Sequence, residues 1–149
     1  MDTALLSLLI SLTQPPPPLY IVPTPVVVHE IKLPDPPVPA FTAPRVANTY
    51  AWGNCTWYVA NKVSIPNSWG HARTWYARAE AQGYITGDVP KPGAIAWFPA
   101  KRGFGHVAYV EEVYADGSYL ISEMNVKGLG KKSSRVISGR QLYFIYGKI

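Results

Sequence analysis

The chain has 149 residues, enough for one domain with a single core, and 15 of them are proline, most before residue 45. Its net charge is +5, which suits an anionic partner, but no arginine-rich helix or nucleic-acid-binding motif accompanies that charge, and a nucleic-acid partner is therefore not expected. One cysteine excludes an internal disulfide and leaves the redox compartment unread.

Residues 4–12, ALLSLLISL, are an apolar run too short to cross a bilayer as a helix. The length fits the hydrophobic stretch of an export signal. Asp2 replaces the usual positive flank, and no A-x-A site follows. Segment 1–13 is expected to be an export or membrane-associated remnant, with a local packing segment as the other reading. Segment 14–47 is dominated by proline, which fixes φ and lacks an N–H, so an extended, semi-rigid linker is expected there. It could also hold an envelope or virion protein partner. No transmembrane helix is expected.

From Asn48 the pattern becomes that of a folded domain, 48–149. CTWYVANKV (55–63) suits a short helix that buries Val59. A second helix is expected within 67–84, where Trp75, Ala79 and Gln82 follow helical spacing and Gly83 supplies a stop. KPGAIAWFP (91–99) reads as a strand between prolines. Residues 105–125 read as strand, Asp116-Gly117 turn and strand, a strong hairpin signal. SRVIS (134–138) and QLYFIYGKI (141–149) supply two more. Helices followed by about five antiparallel strands make the fold class α+β. After Asn125 there is no acidic residue, while Lys127, Lys131, Lys132, Arg135, Arg140 and Lys148 all occur. That tail reads as a solvated face, or as weak attraction to anionic wall polymers.

Cys55 raises the possibility of thiol chemistry, which needs a thiolate, a base and a group that orients the base. The first turn of a helix lowers a cysteine pKa, and Gly53 upstream permits a tight turn. Of three histidines, His29 lies in the linker and His71 opens the second helix. His106 follows Gly105 at the start of a strand and is the best-mounted base. Alternation puts Tyr119, Ile121, Glu123 and Asn125 on one face of the next strand. A glutamate among hydrophobes needs a partner, and imidazolium is a natural one. A two-residue turn at Asp116-Gly117 sets Val110 opposite Glu123 and brings His106 nearer Asn125. Strong twist or a bulge near Glu123 would return the carboxylate to His106. Both Glu123 and Asn125 are candidate orienters.

YAWGNCTWYVANK, WGHARTWYARAEAQGY, KPGAIAWF, GHVAYVEEV, DGSYLISEMN and YFIYG, spread over roughly residues 48 to 147, resemble the CHAP domain, the cysteine, histidine-dependent amidohydrolases/peptidases. The resemblance implies a papain-like fold, with helices packed on an antiparallel sheet. It implies cleavage of amide bonds in bacterial peptidoglycan, as an N-acetylmuramoyl-L-alanine amidase or an endopeptidase, by a secreted bacterial enzyme or a phage lysin. The site would then be extracellular or in the cell envelope. Carried over by position, Cys55 is the nucleophile, His106 the base, Glu123 the third member and Asn125 its polar companion. Asn54 stands where many relatives have glutamine and is a candidate oxyanion residue beside the Cys55 N–H. WGHA replaces the frequent WGNA, which makes His71 a candidate substrate contact. Trp52, Trp69 and Trp75 are candidates for the groove wall, with core packing as the other reading. No acidic calcium loop is visible, so no metal and no cofactor are expected. The reading from a different class is a non-catalytic wall-binding or virion structural module on the same fold.

Overall fold

The computed structural model describes Phe41 and residues 46–148. The apolar segment 1–13 and nearly all of the linker 14–47 lie outside the described residues. Two helices come first: α1, Cys55–Lys62, and α2, Trp75–Ala81. Six strands follow: β1, Thr86–Gly87; β2, Ile95–Phe98; β3, His106–Val113; β4, Tyr119–Met124; β5, Lys132–Ile137; and β6, Tyr143–Ile145. They form one antiparallel sheet in the order β1-β6-β2-β3-β4-β5. The class is α+β, as the segregation of elements implies. The count of about five strands misses β1, whose two residues are too few for an alternation signal and pair with Ile145 and Phe144 at the far end of the chain.

The single helix expected within 67–84 is broken. Asn67–Trp69 and Ala72–Thr74 are separate 3-10 turns, divided by Gly70 at φ 70°, before α2 begins. The stop at Gly83 is where expected. Its N–H reaches the Glu80 carbonyl and that of Tyr84 reaches Ala79, the paired C-terminal bonds that a left-handed residue permits.

Alternate residues of β2 and β3 divide between two buried clusters. Ile95 and Val107 join Val59, Trp69, Trp75 and Ala79 under the helices. Ala96, Ala108 and Val110 join Ile121, Leu142 and Phe144 in the other. This period of two sets the strand faces and so decides which side chains reach the site.

The β3–β4 hairpin departs from the expected register in two places. Its loop has three residues, not two. Tyr114 and Ser118 still pair, the Gly117 N–H bonds to the Tyr114 carbonyl, and Gly117 takes φ 81°. That is a tight turn closed by a left-handed glycine, and the Asp116 carboxylate accepts from the Ser118 N–H and hydroxyl. The register then shifts again between Val110 and Glu112, so that Glu111 is an extra residue on β3. One shift alone would turn Glu123 to the wrong face; the two together restore the face and move the pairing by one diagonal. Val110 therefore pairs with Ile121, not Glu123. Continuing that register sets Glu123 opposite Ala108, diagonal to His106. The bulge lies on β3 rather than near Glu123, because β4 is clamped on its other side by an unbroken ladder to β5.

Candidate active site

Cys55 is the first residue of α1. Asn54 before it is extended (φ −89°, ψ 161°), and Gly53 has φ 84°. The chain thus makes a sharp elbow that delivers the sulfur to the start of the helix. Only glycine fits at 53, since a Cβ would lie 3.0 Å from the Gly130 amide nitrogen and from the Leu129 side chain. The same contact closes a hydrogen bond, Gly130 N–H to the Gly53 carbonyl, at 2.9 Å.

The Cys55 thiol is pushed up from its ordinary pKa, chiefly by burial, with the Glu123 charge adding to the rise. Backbone N–H groups of Val107, Thr56 and Cys55 itself oppose that rise without cancelling it. The helix-start argument for a lowered pKa is therefore overturned: removing the thiolate from water outweighs the amides of one short helix.

His106 opens β3. Its Nε2 lies 2.8 Å from Oε2 of Glu123, which is only 1% exposed. A carboxylate only accepts, so Nε2 carries the hydrogen and Nδ1 keeps its lone pair. Burial lowers the His106 pKa; the Glu123 hydrogen bond and charge pull it back up, and Arg135 presses it down again. The Phe98 ring stands edge-on to the imidazole, with centroids 5.1 Å apart, and fixes its other side. Burial thus favours the uncharged forms of both Cys55 and His106.

Sequence reasoning missed Arg135. It reads there as one of six cations in a solvated tail, yet its Nε donates to Glu123 Oε1 at 2.8 Å and its Nη2 to Oε2 at 3.2 Å. The glutamate among hydrophobes did signal a buried partner, but the β4–β5 pairing that supplies a second one is invisible in a linear pattern.

Asn125 does not meet His106. It adopts φ 72°, and its Nδ2 donates to Asn54 Oδ1 at 3.0 Å. Asn54 in turn donates to the Ala51 carbonyl at 3.2 Å. The pair ties the cysteine elbow to the end of β4, and Glu123 is the carboxylate bonded to the imidazole.

Cys55, His106, Asn54 and Asn125 line one cavity of about 590 Å³, with His71 and Phe104 on its rim. Phe104 is 70% exposed and stacks on His71 at 4.5 Å between centroids. His71 therefore stands where a substrate contact was expected, and Phe104 is a wall residue that sequence reasoning passed over. Trp69 and Trp75 do not line the groove. Both are fully buried, edge to face at 5.6 Å, with their indole N–H groups bonded to Gln82 and the Gly70 carbonyl. Core packing, the other reading of these residues, is what both do. Trp52 is exposed beside the elbow, packed on Gly130 and edge-on to Trp57, outside the cavity lining. Among the described residues, no group of three His, Cys, Asp or Glu side chains is placed to hold a metal ion.

A helix-start cysteine and a strand histidine line one cavity, and the histidine is bonded to a buried carboxylate. The CHAP domain family model matches residues 45–125, more than half the chain. The chain belongs to the CHAP domain family. An N-acetylmuramoyl-L-alanine amidase domain-containing protein of Staphylococcus aureus is 42% identical over 112 residues, covering 66% of this chain and 18% of the relative. The staphylococcal secretory antigen SsaA is 43% identical over 99 residues, covering 64% of this chain and 38% of the antigen. A crystal structure of an N-acetylmuramoyl-L-alanine amidase from Staphylococcus aureus superposes with a TM-score of 0.61 at 42% identity, over 64% of this chain and 31% of that one. This CHAP chain spans well under half the length of each of these relatives.

Proposed function

We propose that this CHAP domain hydrolyses amide bonds of bacterial peptidoglycan with Cys55 as nucleophile, His106 as base and Glu123 as the group that orients the base. The observation that carries the reading is the 2.8 Å bond from His106 Nε2 to the buried Glu123 carboxylate, with His106 lining the same cavity as Cys55. The names of the 42–43% identical relatives favour the bond between N-acetylmuramic acid and L-alanine, and an extracellular or cell-wall location. A peptide bond of the stem or cross-bridge is the other substrate of the same chemistry.

The resting pair is thiol and neutral imidazole, since burial opposes both charges. As Sγ of Cys55 attacks the carbonyl carbon, its proton passes to Nδ1 of His106. The imidazolium so formed is stabilised by Glu123. The oxyanion is met by the Cys55 N–H, one of the amides that the first helical turn leaves unpaired. His106 then protonates the leaving amine. A water, deprotonated by the same nitrogen, attacks the thioester and releases the acid and the free thiol.

The test uses purified cell walls. Cys55→Ala is expected to abolish wall hydrolysis, read as newly released free amines, while circular dichroism stays unchanged. Wall clearing by that variant at the native rate sinks the reading. Mass spectrometry of the digest names the bond. Binding to walls with no released product would favour the non-catalytic module instead.

A further inference from the structure

Glu123 has two basic partners, and only one of them belongs to the thiol machinery just described. Its Oε1 takes Arg135 Nε, and its Oε2 is shared between Arg135 Nη2 and His106 Nε2. The carboxylate is 1% exposed, so these donors replace water almost entirely. Arg135 is itself held. Its guanidinium carbon lies 5.4 Å from the centroid of Phe98, the ring that also flanks His106. Its place on β5 is set by the pairing of Arg135 with Ile121 and of Glu123 with Ser133. The residue is thus built into the site from two directions, though its outer side reaches solvent.

We propose that Arg135 is a positioning residue of this thiol site: its fork fixes the Glu123 carboxylate in the plane His106 needs, and its charge takes a share of that carboxylate away from the imidazole. The proposal rests on the hydrolase reading above for its catalytic consequence, but not for its electrostatic one. A lone buried carboxylate beside a histidine draws the imidazole more strongly toward its charged form. A second cation on the same carboxylate moderates that pull while keeping the geometry. The groups facing His106 are consistent with this division. Glu123 from β4 favours the charged ring; Arg135 from β5 opposes it; Cys55 from α1 is an uncharged thiol at rest; β2 contributes only Phe98. His71 shares the cavity from the turn before α2, and Arg140 lies across Phe98 at 5.3 Å.

Two variants separate charge from geometry. Arg135→Gln removes the charge; Arg135→Lys keeps it but loses the planar fork. The His106 midpoint is read by NMR titration of the imidazole carbons, with its signal assigned by loss in His106→Asn. Wall hydrolysis is followed from pH 5 to 9 in parallel. In Arg135→Gln the midpoint is expected to rise, and the acid limb of activity to move up with it. In Arg135→Lys the midpoint should stay near the native value, while kcat falls several-fold with KM little changed. Circular dichroism checks that each variant is folded, and the lysine variant guards against loss of fold in the glutamine one. A folded Arg135→Gln whose His106 midpoint is unmoved or lowered overturns the proposal. So does an equal loss of rate in both variants at every pH, which marks a merely structural arginine. The midpoint is measurable even if native protein leaves walls intact; that outcome sinks the hydrolase reading alone.

Discussion

Glu123 and His106 show how burial and charge share one proton. Burial lowers the His106 pKa, and Glu123 is the group that restores part of it. A depressed histidine pKa favours folding above the ordinary value of 6.5, and that stability is lost as pH falls through the folded midpoint. Activity follows the same sign, because the base must be uncharged to take the thiol proton. Glu123→Gln removes the pull toward the charged ring. The His106 midpoint is then expected to fall further, opposite to the shift expected for Arg135→Gln. The rate at neutral pH should nonetheless drop by about a hundredfold or more, because the imidazolium formed during attack loses its counter-charge. The same titration and wall assay read both effects, and a rise of the midpoint in Glu123→Gln would falsify the assignment of Glu123 as the restoring charge.

At the scale of elements, two left-handed glycines show that the same backbone strain can matter to the site or not. Gly117 closes the β3–β4 loop at φ 81°, and a Cβ there meets nothing within 4 Å. Gly105 precedes β3 at φ 74°, and a Cβ there lies 2.6 Å from the Arg73 amide nitrogen. That approach is real contact, since the Arg73 N–H bonds to the Phe104 carbonyl at 2.8 Å. Gly117→Ala is expected to cost about 1 kcal/mol by thermal unfolding and to leave activity intact. Gly105→Ala should cost about 2–4 kcal/mol and lower wall hydrolysis as well, because the clash displaces the segment that carries His106. Equal effects of the two substitutions on activity would refute this distinction. The Asp116-Gly117 hairpin was legible in the sequence because turn chemistry is local. The third loop residue and the Glu111 bulge were not, because both are settled by pairing across the sheet. Cys55, His106 and Glu123 were legible as residue types; Glu123 was separated from Asn125 only by the register. Trp75 was legible as part of a helical face, but spacing carries no sign that says whether a face meets core or groove, and Trp69 lies in a separate 3-10 turn.

Across the whole molecule, the part that the family model matches and the part that folds are different lengths. The family match ends at Asn125, with Cys55, His106 and Glu123 all inside it. Yet β6 lies beyond that point and sits inside the sheet between β1 and β2, while β5 carries Arg135. Leu142, Phe144, Ile145 and Ile137 are all buried, and each contributes roughly 1.5–3 kcal/mol by leaving water. Their sum of about 6–12 kcal/mol is comparable with the whole stability of a domain this size. Removing residues 132–149 also opens the β2 edge at Ile95, Ala96 and Trp97, which pair with β6 in the intact sheet. A fragment of residues 46–131 should therefore lack a cooperative unfolding transition by calorimetry, although it retains every residue of the proposed Cys-His-Glu set. A fragment of residues 46–149 should keep the transition. Cooperative melting of the shorter piece would mean that α1, α2 and β1–β4 suffice as a core, and that β5 and β6 serve the site without holding the fold.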